Sequence, residues 1–486
     1  MGLPIRGTLG SHVAGRWVAD GEAADDLNPS RPTDVIGRSA MAGPDLADEA
    51  CAAAAAAYPG WRSTPAPARG EILRQAGDLL DVRADEIGHE LAREEGKTVV
   101  EAVSETLRAA ALFRYYAAQT LEPDGDTYPS ASRTTFLYSR REPVGVVAVI
   151  TPWNFPIAIP AWKIAPALAY GNTVVWKPAD LVPLTSIRVV EALVDAGLPP
   201  GVLNLIIGRG STVGETLVTH SAVSAITFTG SNAVGRAVQL QAVARGKRAQ
   251  LELGGKNPAV VLADADLGLA AEHVARGSFL SAGQKCTATS RVIVERPVME
   301  EFSERLSALA QEWKVGDALD PTSRVGPLSS AAQLETVLGY LQTARTEGAT
   351  ILAGGGRADE LGEGYFVRPT VLTDVRPDSR ILREEIFGPV ATLLAVDSYD
   401  AAIAAANDTP FGLSASVFTR DLGAALAFAN EIKAGVVKVN LESAGLEYQV
   451  PFGGTKDSSS GSREQGKAAR EFFTEWKTVY IDSQRA

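Results

Sequence analysis

Cysteine and histidine are scarce in this chain of 486 residues. There are two cysteines, Cys51 and Cys286, and four histidines, His12, His89, His220 and His273. Two cysteines cannot make a disulfide framework. With no CxxC pair and no two histidines at ligand spacing, no metal site is expected either. No run of about 18 apolar residues is present, so no membrane-spanning helix is expected. The opening stretch MGLPIRGTLGSHVAGRW lacks a continuous apolar core, which argues against a signal peptide. Positive charge is also in deficit: 46 Lys and Arg face 58 Asp and Glu, for a net charge of −12. That balance disfavours nucleic acid and anionic membranes as partners. The usual dinucleotide fingerprint is missing, because the run from Gly208 to Gly214 reads GxGxxxG, one residue too long. What remains is a reduced, cytoplasmic protein, long enough for two or three domains.

The texture changes along the chain. Residues 44 to 120 are rich in Ala, Glu and Arg with helical periodicity, including the runs Asp45 to Tyr58 and Ala68 to Glu95. From Val144 to Ile150 a β-branched run reads as a buried parallel strand. Helices and strands then alternate: a helix over 157–169, a strand over 173–176, a helix over 184–196 and a strand over 202–207. A helix over 212–219, a strand over 225–228, a strand over 259–262 and a helix over 267–280 follow. Such alternation predicts α/β architecture with doubly wound parallel sheets. The tail, 475–481, reads as a lone strand in need of a partner.

Three segments carry candidate chemistry. In Gly283-Gln284-Lys285-Cys286-Thr287 the thiol sits in a polar, small-residue stretch beside a cation, which would favour the thiolate nucleophile. A buried packing cysteine is the alternative, and Cys51 in CAAAAAA reads as one. In Leu251-Glu252-Leu253-Gly254-Gly255-Lys256, apolar neighbours would raise the pKa of Glu252 toward that of a general base. A structural pair with Lys256 is the alternative. In Pro152-Trp153-Asn154-Phe155-Pro156, directly after a strand, the Asn154 amide is placed to donate to an oxyanion, unless it merely serves a turn. Two further strand ends, Phe228 to Gly235 and Trp176 to Asp180, offer a helix start and a cation for a pyrophosphate.

Taken together these stretches resemble the aldehyde dehydrogenase superfamily over essentially the full length. The resemblance rests on PWNFP (152–156), WKPAD (176–180), FTGSNAVG (228–235), LELGGKNP (251–258), GQKC (283–286), EEIFGPV (384–390) and PFGG (451–454). It implies Cys286 as nucleophile, Asn154 as oxyanion donor and Glu252 as the base that hydrolyses a thioester. It implies NAD as cofactor, with NADP possible, held by Trp153, Lys177, Asp180, Gly210, Gly230, Ser231, Gly235, Glu385 and Phe387. Asp180 stands where NAD-preferring members often carry Glu. The implied domains are a dinucleotide-binding domain over 1–120 and 144–254, a catalytic domain over 255–465, and a β oligomerisation element over 121–143 and 466–486. A homodimer or homotetramer is the implied assembly.

The resemblance also implies a substrate tunnel lined by Phe155, Ile159, Trp162, Leu280, Ala444 and Phe452, largely apolar at its waist. The run 444–466 resembles the branch that oxidises 2-oxoglutarate semialdehyde (2,5-dioxovalerate). Glu442, near the expected tunnel mouth, speaks against a dianionic substrate, and Arg108 reads as a surface residue or a carboxylate ligand, with the surface reading favoured. The alternatives are a broad aliphatic or aromatic aldehyde dehydrogenase and a non-catalytic relative kept for binding. The latter predicts loss of Cys286, Glu252 or Asn154, and all three are present. A thiol hydrolase would need a histidine base, and no motif contains one.

Overall fold

The computed structural model describes residues 8–483. The first seven residues, part of the stretch read for a signal peptide and of segment 1–120, lie outside it, as do residues 484–486 at the end of segment 466–486.

The run from Val146 to Ile150 is buried along its whole length and forms the middle of an eight-stranded sheet. Thr173–Lys177 and then Leu203–Leu205 add on one side, and Val223–Thr229 and then Arg248–Glu252 add on the other, all parallel. Strand order therefore reverses between Val146–Ile150 and Val223–Thr229. In an open α/β sheet the crevice for a ligand lies at such a switch point, beyond the carboxyl ends of the strands. Both faces of these strands are covered by helices, which is why they read as continuous β-branched runs without alternation. Antiparallel edges come from far away: Ser11–Val13 and Arg16–Val18 at one side, Ser459–Ser460 at the other. Residues 459–460 thus join the sheet of the first half of the chain, although they fall in the segment assigned from sequence to the catalytic domain.

The 44–120 region is helical as read, but Arg83 (φ −94°, ψ 7°) divides the expected Ala68 to Glu95 run into Ala66–Val82 and Ala84–Glu95. The expected helix over 212–219 is a wide π-type turn, Gly210–Gly214, leading into the short helix Glu215–Thr219. Two glycines within five residues lower the helix propensity there. A seven-stranded sheet, with Asn257–Val261 beside Thr289–Glu295 and Ser414–Phe418, builds the second α/β unit. The orphan tail finds its partner: Thr474–Asp482 pairs antiparallel with Thr135–Pro143 over nine residues. Cys51 is fully buried in a core cluster, in keeping with a packing role. Among the described residues no helix is long and apolar enough to cross a membrane.

Candidate active site

Cys286 follows a tight elbow. Ser281 (φ 54°), Ala282 (φ 51°) and Gly283 (φ 69°) are three consecutive left-handed residues, two of them with side chains. Such backbone costs about 1–3 kcal/mol per side-chain-bearing residue and persists only where its surroundings hold it. Here Glu101 holds the elbow, accepting from Ser281 N (2.8 Å) and Oγ (2.9 Å). Asn257 fixes the loop just after it, donating to the carbonyls of Cys286 (2.8 Å) and Ala288 (2.9 Å) and accepting from Ser414 N (3.0 Å). Gly255 must lack a side chain, since a Cβ there would collide with the Cys286 carbonyl. The half-buried thiol opens on a cleft of about 250 Å³. Burial, together with the Glu385 and Glu252 carboxylates, pushes the Cys286 thiol up, not down. This corrects the sequence expectation of a thiolate favoured by Lys285. That ammonium donates to the Arg276 carbonyl at 3.1 Å and lines a different cavity.

Asn154 lines the same cleft as Cys286 and is buried. One amide hydrogen goes to the Gln284 carbonyl at 2.9 Å, which ties the amide to the nucleophile's loop and leaves the other free to donate. Its main-chain carbonyl accepts from Lys97 Nζ at 2.6 Å. Lys97 in turn binds Glu105 at 2.5 Å, and Glu105 accepts from the N–H groups of Ile157 and Ala158, both at 3.0 Å, at the start of helix Ala158–Ala169. Burial pulls the Lys97 pKa down, but Glu105 and Glu95 outweigh it and the net shift is upward. Sequence reasoning missed this network entirely.

Glu252 ends the strand Arg248–Glu252, fully buried, with one oxygen accepting from Ser459 Oγ at 2.5 Å and the other without a partner. Burial and the neighbouring Glu464 raise its pKa well above the ordinary carboxyl value, while Ser459, Lys163 and Arg463 pull the other way. The direction matches the sequence reading, but Glu464 was not foreseen. Glu464 is held by Lys163 and by Trp162 Nε1 (2.8 Å), and Lys163 also donates to Thr227 at 2.7 Å. A lone lysine inside the otherwise apolar run 157–169 was the available signal. The alternative pairing of Glu252 with Lys256 does not occur: Lys256 Nζ is buried without a hydrogen bond, and burial with nearby Arg291 lowers its pKa to about 7.

The expected cofactor residues fall into three groups. Trp153, Gly230, Ser231, Glu385 and Phe387 line the Cys286 cleft, at the switch point of the sheet. Trp153 and Phe387 meet edge to face at 5.4 Å, and Phe387 holds a left-handed turn (φ 57°) fixed by Gln333, which donates to its carbonyl at 2.9 Å. Glu385 accepts from Gly255 N at 2.9 Å, and burial lifts its pKa to about 7. Lys177, Asp180 and Gly210 sit beyond the cleft, near the ends of the two neighbouring strands. The Lys177 ammonium donates to the Pro178 carbonyl at 2.7 Å, burial lowers its pKa to about 8, and Asp180 is exposed. Gly235 does not line the Cys286 cleft; it is a packing glycine, since a Cβ there would strike Leu253. Ser231 N-caps the helix Asn232–Val243, whose free N–H groups suit a phosphate. Among the described residues no group of three or more His, Cys, Asp or Glu side chains is placed to hold a metal ion.

A model of the aldehyde dehydrogenase family matches residues 17–479. The chain belongs to the aldehyde dehydrogenase family. It is 46% identical over 473 residues to an alpha-ketoglutaric semialdehyde dehydrogenase of Bacillus subtilis, covering 96% of this chain and 97% of that one. It is 47% identical over 475 residues to an alpha-ketoglutarate semialdehyde dehydrogenase of Haloferax volcanii, covering 97% and 98%. Among solved structures, betaine aldehyde dehydrogenase of Staphylococcus aureus in complex with NAD+ superposes with a TM-score of 0.95 at 34% identity, over 99% of this chain and 95% of that one. The fold is that of an aldehyde dehydrogenase, and the protein is an aldehyde-oxidising oxidoreductase.

On this aldehyde dehydrogenase the expected tunnel residues separate. Phe155, Leu280 and Ala444 line a second cavity of about 580 Å³, bordered by Ser281 and Lys285 of the loop that carries Cys286. Ile159 lines the Cys286 cleft instead. Trp162 and Phe452 are buried against each other, with ring centroids 5.9 Å apart, and line neither space. The second cavity is not the apolar passage expected: Glu101, Arg108, Arg276, Lys285 and Glu442 all face it. Glu442 does not stand as a bare negative charge, because Arg276 pairs with it at 3.1 Å. Arg108 is no surface residue either. It is half-buried, donates to the Leu446 carbonyl, and is pulled down in pKa by burial.

Proposed function

We propose that the enzyme oxidises 2-oxoglutarate semialdehyde to 2-oxoglutarate with NAD, through a thioester on Cys286. The observation that carries the reading is the convergence of Cys286, Asn154 and Glu385 on one cleft at the switch point of the first sheet. The semialdehyde is favoured by the relatives named for it and by the cations of the second cavity.

Trp153, Ser231, Glu385 and Phe387 would hold the cofactor in the cleft, and Lys177 and Asp180 its adenosine end. A Cβ on Gly254 would strike Glu385, so the glycine leaves that carboxylate room to meet a ribose. NAD, when bound, supplies the hydride acceptor. Cys286 reacts as the thiolate, its proton passing to solvent in the cleft. Sγ bonds to the aldehyde carbon, and the displaced carbonyl electrons form an oxyanion that the Asn154 amide stabilises, worth roughly 3 kcal/mol. Once the adduct is oxidised to a thioester, Glu252 removes a proton from water, which attacks and releases the acid and the thiol. Burial and Glu464 raise the Glu252 pKa, which makes its carboxylate a stronger base once deprotonated.

We read the dinucleotide-binding, catalytic and oligomerisation units as those built around the eight-, seven- and three-stranded sheets, with residues 459–460 going to the first. A homodimer or homotetramer is supported by apolar side chains left exposed: Val234, Leu240 and Val243 on one helix, Trp476, Tyr480 and Ile481 on the terminal edge strand.

The test is steady-state formation of reduced cofactor with 2-oxoglutarate semialdehyde, succinic semialdehyde, hexanal and benzaldehyde, each with NAD and NADP. A kcat/KM highest for 2-oxoglutarate semialdehyde with NAD is expected. A preference for hexanal or benzaldehyde would replace this substrate with a broad aldehyde specificity.

A further inference from the structure

The second cavity holds more positive charge than its own carboxylates engage. Glu442 is paired with Arg276. Glu105 is taken up by Lys97 and two helix N–H groups. Glu101 accepts from Thr98 and from the Ser281 N–H (2.8 Å) and hydroxyl (2.9 Å). Arg324 lies against Glu272 at 3.3 Å, outside this set. Arg108 and Lys285 are different. Among the described residues neither has an ion pair, and each donates to a main-chain carbonyl, of Leu446 and of Arg276. Both are part-buried, and burial lowers the pKa of each, with Glu447 and Glu105 near Arg108 and Glu101 and Glu442 near Lys285 offsetting only part of it. A buried cation with only neutral acceptors gains most from an arriving anion.

We propose that Arg108 and Lys285 bind the carboxylate of the substrate and so select an oxo acid over a neutral aldehyde. The inference rests on the semialdehyde reading above and deepens it. Arg108 keeps one guanidinium arm on Leu446 and presents the rest of its planar fork to the cavity. That geometry matches a carboxylate with an adjacent 2-oxo oxygen, which a lysine alone would bind as a point charge. Phe155 and Leu280, on the same wall, suit the methylene carbons between carboxylate and aldehyde.

The experiment compares the parent enzyme with Arg108→Gln, Arg108→Lys and Lys285→Gln at saturating NAD. For 2-oxoglutarate semialdehyde, Arg108→Gln is expected to raise KM about tenfold or more while kcat changes far less, with Arg108→Lys intermediate. The ratio of kcat/KM for the semialdehyde over hexanal falls in step. Glutarate, which has the carboxylates and no aldehyde, should inhibit hexanal oxidation competitively, and Arg108→Gln should weaken that inhibition about tenfold. Unchanged ratios and unchanged glutarate inhibition in Arg108→Gln and Lys285→Gln would overturn the proposal. A parent enzyme that prefers another aldehyde, yet is inhibited by glutarate through Arg108, would sink the substrate reading and keep the carboxylate subsite. Should Arg108→Gln fail to fold, Arg108→Lys and Lys285→Gln carry the same inhibition test.

Discussion

The buried ammonium of Lys97 donates to the main-chain carbonyl of Asn154 at 2.6 Å, so the backbone carrying the proposed oxyanion donor is held by a charge 57 residues away in the chain. The same ammonium lies 4.0 Å above the Phe155 ring. One lysine therefore fixes both the amide that faces the cleft and the aromatic wall of the second cavity.

Replacing Lys97 with Met should be costly. It leaves Glu105 and Glu95 buried without their cation, a loss of about 3–5 kcal/mol for a broken buried pair. Denaturant unfolding is expected to show that drop, with kcat falling as Asn154 loosens. Lys97→Met combined with Glu105→Gln should recover part of the stability, because the orphaned charge is gone. A Lys97→Met enzyme with parental stability and kcat would remove the network from the account.

The resting thiol of Cys286 should react slowly. Burial and two carboxylates hold its pKa above the ordinary thiol value. Labelling by iodoacetamide in the absence of cofactor is expected to be sluggish at neutral pH and to accelerate throughout the alkaline range. Cys51, buried and pushed up to about 12 by burial, should stay unlabelled in the folded protein. Peptide mass spectrometry reads both sites. Rapid labelling of Cys286 with a plateau at neutral pH would mean a preformed thiolate.

Glu464→Gln should move the pH profile in a definite direction. The Glu464 charge helps hold the Glu252 pKa up, and it also neutralises Lys163. Removing it lowers the pKa of Glu252, so the base is deprotonated at lower pH. The acidic limb of kcat against pH is expected to shift toward acid wherever thioester hydrolysis limits turnover. A shift toward alkali would show that Glu252 is governed by something other than this neighbour.

Asp180→Ser should relax cofactor choice. With the adenosine end placed as proposed, the exposed carboxylate just beyond Thr173–Lys177 would repel a 2′-phosphate, and its loss is expected to raise the NADP to NAD ratio of kcat/KM about tenfold. An unchanged ratio would place the adenosine ribose elsewhere.

The sheet and the motif-bearing loops were legible in the sequence because their cause is local. Val146–Ile150 and Thr173–Lys177 are buried on both faces and so are continuously apolar but for their ends, and the loops that follow them carry the motifs. What escaped depends on long-range pairing or irregular backbone. Lys97, Glu105 and Glu464 look like solvated charges until the fold brings them to their partners, and only Lys163, alone in an apolar run, stands out in the sequence. Lys285 precedes Cys286 in the chain, but after the elbow of Ser281 to Gly283 the two side chains serve different cavities. Adjacency in an irregular loop is no guide to electrostatic contact. Trp162 and Phe452 were assigned by position relative to motifs, and their mutual packing turned them from the tunnel.

The pairing of Thr474–Asp482 with Thr135–Pro143 spans some of the longest sequence separations in the molecule. On a ribosome the earlier strand emerges and waits for nearly the whole remaining chain, since loop closure of that length comes late. Glu464 and Ser459, which complete the surroundings of Glu252, leave in the same last stretch. Synthesis therefore delivers the tuned base and the exposed edge strand together: a chain released early lacks both, and competence to turn over substrate arrives with the surface on which copies would meet.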